Sequence, residues 1–120
     1  PLSGRTLLIA AIVANQDPIV HILVCEFKVD LRRKSLLSES TPLHFAVSSG
    51  NRQITLFLLT YGAKVNARNK YGCSPLHLAS SLSLTKLLLK HGADPLMRSL
   101  EVFHFVTTSA TVGFIQYHSV

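Results

Sequence analysis

The sequence predicts an all-α solenoid of about three stacked helix–turn–helix units. Three observations lead there. The strings Thr41-Pro42-Leu43-His44 and Ser74-Pro75-Leu76-His77 begin 33 residues apart. Each is followed two places on by an alanine, Ala46 or Ala79. Each then reaches a double leucine and a Gly-Ala: Leu58-Leu59 with Gly62-Ala63, and Leu88-Leu89 with Gly92-Ala93. Self-similarity at a fixed period is the mark of a repeat array.

The elements of one unit follow from its residue types. Thr41 is a good helix N-cap, because its hydroxyl can accept from a free amide of the first turn. Pro42 suits the first helical position, where its missing N–H is no loss. Ser74 and Pro75 repeat the arrangement. Leu43 and Leu76 begin an apolar face. Ala46 and Ala79 are small enough for another helix to approach closely. Gly62 and Gly92 suit a left-handed C-cap after the second helix. Each unit thus reads as cap, short helix, turn, second helix and glycine stop.

With its Thr-Pro-Leu-His-x-Ala string and its period near 33, the chain resembles the ankyrin-repeat family. The resemblance covers about residues 4–98 and is strongest over 41–98. It implies two-helix layers, each followed by an extended, hairpin-like loop. Matching the pattern backwards finds a first repeat. Gly4-Arg5-Thr6-Leu7-Leu8-Ile9-Ala10-Ala11 resembles Gly72-Cys73-Ser74-Pro75-Leu76-His77-Leu78-Ala79, with Leu7 for the proline and Ile9 for the histidine. Ile19, Val20, Ile22, Leu23 and Val24 supply its second helix, and Glu26 stands where a terminal glycine is expected. The repeats are expected at about 4–35, 36–68 and 69–98 within a repeat region 1–99. Residues 100–120 are expected to be a degenerate capping repeat or an irregular tail.

Two departures have consequences. From Ala46 to Leu58 is twelve steps, but from Ala79 to Leu88 only nine. The third repeat is therefore expected to end its first helix early or to turn very tightly. The connection from the first repeat to the second, Leu31 to Ser40, is long, so this loop is expected to protrude.

Of the 120 residues, 48% are hydrophobic and 15% charged. That is apolar for a solenoid whose end layers should face water. The expectation is a fragment, or a domain whose ends are covered by further repeats or a partner. The longest apolar stretch, Leu7 to Ala14, is far shorter than the roughly 20 residues of a membrane span, so no membrane partner is expected. Cys25 and Cys73 have no metal spacing and form no disulfide framework, which fits a reducing compartment, cytoplasmic or nuclear.

The formal net charge is +6. Arg32, Arg33, Lys34, Lys64, Arg68, Lys70 and Arg98 fall between the repeats. In the arrangement the resemblance implies, these stretches are neighbouring loops on one edge. They would form a basic rim able to steer a protein with an acidic surface. Arg32-Arg33-Lys34-Ser35 also resembles the Arg-Arg-x-Ser target of basophilic kinases, which makes Ser35 a phosphorylation candidate in a loop expected to be exposed.

Chemistry is harder to find. By resemblance, His44 and His77 hydrogen-bond the neighbouring hydroxyl residue and adjoining loop backbone. Repetition from layer to layer marks packing rather than catalysis. His91 precedes a glycine stop, His21 and His104 read as helix positions, and His118 lies in the tail. No His-x-x-x-His, Cys-x-x-Cys or Gly-rich phosphate loop occurs, and the six acidic residues are scattered. No catalytic residue, metal, cofactor or small-molecule substrate is expected. Nucleic acid is disfavoured, since among the basic loop residues only Tyr71 offers a stacking ring.

The expected function is non-catalytic protein–protein recognition. The resemblance places the partner in a concave groove made by loop tips and the exposed side of each first helix. The residues assigned to it are Arg32, Arg33, Lys34, Arg68, Lys70 and Tyr71 on the loops, with Phe45, Ser48 and Leu78 on the inner helices. Two alternatives are substrate recruitment within a ubiquitin-ligase adaptor, and a truncated form without activity of its own. Self-association through exposed apolar ends is a further expectation.

Overall fold

The structure, a computed structural model, describes residues 6–98. The apolar tail residues Phe103, Phe105, Val106, Phe114 and Ile115, with His104 and His118, lie outside them, as does the expected capping unit at 100–120. Among the described residues are five α-helices, α1 Leu7–Val13, α2 Asp17–Cys25, α3 Pro42–Ser48, α4 Arg52–Thr60 and α5 Leu82–Lys90, with one 3₁₀ turn at Pro75–Leu78 between α4 and α5. No strand occurs among the described residues. The first helices α1, α3 and the 3₁₀ turn stack in a row, and α2, α4 and α5 back them.

Side chains cap the starts of α1, α3, α4 and α5, whereas α2 follows Gln16 without a side-chain cap. Thr6 Oγ accepts from the Ile9 amide at 3.1 Å, and Thr41 caps α3 beneath Pro42. Two further caps start second helices: Asn51 Oδ1 accepts from Ile54 N at 3.0 Å, and Ser81 Oγ from Leu84 N at 3.2 Å. No repeated string advertises either.

The core runs through the stack as one cluster. Leu8, Ile12, Val20, Leu23, Leu43, Ala46, Val47, Ile54, Leu58 and Leu88 belong to it. Ala46 is fully buried, as its small size requires where α1, α3 and the next layer meet. Fully burying a Leu or Ile is worth about 1.5–3 kcal/mol, so this continuous cluster, rather than any one helix of seven to nine residues, holds the layers together.

The shortened third repeat takes the first of its two options. Ala79 is already extended, with ψ 126°. With three residues fewer between its helices than the second repeat has, the third repeat contracts its first helix to one 3₁₀ turn, Pro75–Leu78. The long first connection does protrude. Its tip leucines Leu36 and Leu37 are 79% and 69% exposed.

Candidate functional site

The motif histidines fasten the second and third layers to the loops that follow them. His44 Nδ1 accepts the Thr41 backbone N–H at 3.0 Å and lies 2.8 Å from Thr41 Oγ1. With Nδ1 accepting, the proton must sit on Nε2, which donates to the Cys73 carbonyl at 2.8 Å. His77 repeats the arrangement. Its Nδ1 accepts from Ser74 N at 2.9 Å and its Nε2 donates to the Met97 carbonyl at 3.0 Å. Burial holds the His44 imidazole below its ordinary pKa. The bond to the Cys73 carbonyl opposes this, and the charges of Lys34 and His77 reinforce it.

The loops are tied to one another as well as to the helices. Asn69 Oδ1 accepts from the Tyr71 and Cys73 amides at 2.9 and 3.0 Å, closing a tight turn. The Lys70 amide donates to the Ser38 carbonyl at 3.0 Å, and Asn69 Nδ2 to Ser40 Oγ at 3.3 Å. Lys34 Nζ donates to the Arg68 carbonyl at 2.9 Å, and the Arg68 guanidinium to the Arg98 carbonyl at 3.2 Å. Arg32 pairs with Asp30 at 3.5 Å. The Arg32 backbone N–H is the largest cause of the lowered Asp30 pKa.

Four of the assigned residues meet. Phe45, Ser48, Tyr71 and Leu78 line one open cleft of about 260 Å³ together with Ser38, Ser40, His44, Asn69 and Cys73. Phe45 and Ser48 come from α3, Leu78 from the 3₁₀ turn and Tyr71 from the loop between them. The Lys70 ammonium lies 5.2 Å from the centre of the Tyr71 ring, a cation–π contact at the cleft edge. Arg32, Arg33, Lys34 and Arg68 stand on the loops and do not line the cleft. Sequence reasoning missed Ser38, Ser40 and Asn69; the turn-forming run Asn69-Lys70-Tyr71-Gly72 was the available signal for the last.

One expectation is corrected. Ser35 is only 4% exposed. Its hydroxyl lies 3.0 Å from Ser38 Oγ and accepts the Ser40 amide at 3.3 Å, while its own amide donates to the Ser40 carbonyl at 2.9 Å. The hydroxyl closes the loop from inside instead of facing a kinase. Among the described residues no three His, Cys, Asp or Glu side chains are grouped as metal ligands.

Comparison with known proteins agrees with this geometry. The family model for ankyrin repeats, three copies, matches residues 7–99. The chain belongs to the ankyrin-repeat family, whose repeats are protein–protein interaction modules and are in general not enzymes. It is similar to human Rabankyrin-5, 40% identical over 73 residues, covering 58% of this chain and 6% of that protein. It is 34% identical over 91 residues to a putative ankyrin repeat protein, FPV031, of fowlpox virus, covering 72% and 26%. It is 36% identical over 104 residues to ankyrin repeat and SOCS box protein 6 of Pongo abelii, covering 78% and 24%. The chain thus spans about a quarter or less of the length of these relatives.

Proposed function

We propose that this chain binds a partner protein through the cleft floored by Phe45, Ser48, Tyr71 and Leu78, and that the basic loops select a partner with an acidic surface. One observation carries the reading: side chains from three successive segments converge on one open cleft, with the Lys70 cation at its edge. The rings and leucine give area that a partner side chain can cover, and the cations raise the encounter rate. The family's general role as an interaction module supports it. Free Cys25 and Cys73 support a reducing compartment, cytoplasm or nucleus. Exposed Leu7, Ile19 and Ile22 support self-association as a further property.

A second reading, recruitment of a substrate within a ubiquitin-ligase adaptor, is favoured by relatives whose names pair ankyrin repeats with a SOCS box. It uses the same cleft and differs in what the captured protein is for.

The test is capture of binding proteins by the wild-type chain and by Arg33→Glu/Lys70→Glu, at low and high salt. The wild type should retain proteins that high salt and the double variant both release, while both chains unfold at the same denaturant concentration. A captured set unchanged by charge reversal at low salt would remove the basic rim from the function.

A further inference from the structure

The first loop is built to display two leucines. Between Ser35 and Ser40 the chain closes on itself: Ser35 N donates to the Ser40 carbonyl at 2.9 Å and Glu39 N to the Ser35 carbonyl at 3.1 Å. Ser38 Oγ lies 3.0 Å from Ser35 Oγ and donates to Ser40 Oγ at 2.9 Å. Three serine hydroxyls therefore turn inward, and Ser35 and Ser40 are buried. Glu39 adopts φ 57°, a left-handed conformation that a side chain makes unfavourable. The Lys70 amide then pins the loop to its neighbour through the Ser38 carbonyl. The outcome is that Leu36 and Leu37 project side by side, 79% and 69% exposed. Neither lines the cleft proposed above.

Cations flank this tip in the sequence and on the adjoining loop. Arg32, Arg33 and Lys34 precede it directly, and Lys70 and Arg68 stand on the adjoining loop that contacts it. The carboxylates of the first loop are Asp30, already paired with Arg32, and Glu39.

We propose that this tip docks on an anionic lipid surface, with Leu36 and Leu37 entering the headgroup–acyl boundary and the loop cations meeting the headgroups. The shape and the charge select this occupant. A convex apolar tip needs a complementary pocket on a protein, whereas a fluid bilayer accepts it anywhere. Short apolar anchors bind weakly alone and stably when joined to a basic patch, and each cation near an anionic leaflet adds to the attraction. No described helix is long and apolar enough to cross a membrane, and lying on a surface requires none. The expectation of no membrane partner considered only spanning.

Co-sedimentation with vesicles tests this. The full chain is mixed with phosphatidylcholine vesicles, with and without about 30% phosphatidylserine, at low and high salt. The expected result is binding at least about tenfold tighter to the anionic vesicles, lost at high salt. Leu36→Ser/Leu37→Ser should lose about tenfold or more on the anionic vesicles, with circular dichroism unchanged because both side chains are exposed. Arg33→Gln should lose about fivefold. Equal partition to neutral and anionic vesicles, a wild-type chain that stays in the supernatant, or a leucine variant that binds as the wild type does would each overturn the proposal. Protein capture by the cleft would stand in any of these cases, since the leucines lie outside it.

Discussion

His44 is neutral because both of its nitrogens are committed and it is buried. Taking up a proton on Nδ1 would turn an acceptor of the Thr41 amide into a competing donor. The direction of the pH effect follows. The unfolded imidazole takes up a proton near its ordinary value of about 6.5, and the folded one only at lower pH. In that window the unfolded chain binds more protons, so stability falls as the pH drops below about 6.5 and levels off beneath the folded value. The denaturation midpoint of the wild type should therefore fall on acidification more than that of His44→Gln. Equal pH slopes would show that His44 does not titrate with folding. A second prediction concerns Glu39. It holds φ 57° at the place where the next repeat has Gly72 at φ 77°. A left-handed residue with a Cβ costs about 1–2 kcal/mol, and glycine offsets about 0.5–1 of this through its freer unfolded state. Glu39→Gly should stabilise the chain by about 0.5–1 kcal/mol in denaturant titrations.

At the scale of elements, the third repeat shows where reading the sequence succeeds and where it stops. The deficit of three residues was plain, and so was the position of the histidine. That the helix would shrink to a 3₁₀ turn was not, because a tight turn after a normal helix satisfies the same count. Ala79 settles it by going extended. Inserting three residues between Ser80 and Ser81 should restore a full first helix and raise far-UV helical ellipticity. An unchanged spectrum would mean the contraction has a cause other than length. The loops divide in the same way. Family resemblance assigned Tyr71 and Lys70 to the groove side of the loops, and Tyr71 lines the cleft, whereas the inward serines of the first loop were not legible in the sequence. Ser35 follows three cations and looks exposed; only the pairing of its amide with the Ser40 carbonyl turns it inside. Hydrogen bonds between residues five apart in an irregular loop leave no periodic trace.

Across the whole molecule, equivalent positions differ by what stacks on them. Ile54 and Leu84 begin the second helices of repeats two and three and are each 1% exposed. Ile19 holds the same place in repeat one and is 43% exposed. Its neighbour Ile22 is the counterpart of Phe57, which stacks against His21 of the preceding layer with ring centres 4.0 Å apart. The first layer thus presents the face of an inner layer. Ile54→Ala should cost about 2–5 kcal/mol, the usual range for emptying a core site. Ile19→Ala should cost less, under about 1 kcal/mol, since that side chain already faces solvent in part and its loss opens no enclosed cavity. Similar losses at both sites would mean that the first layer is covered in solution.

The proposed recognition uses the cleft of Phe45, Ser48, Tyr71 and Leu78, with the outer helices serving as support. The most direct measurement is the map of backbone amide shifts on adding a captured partner. Perturbations are expected to concentrate at Phe45, Ser48, Lys70, Tyr71 and Leu78, with α2, α4 and α5 nearly unchanged. Perturbations centred on those three helices, with the cleft residues silent, would contradict it.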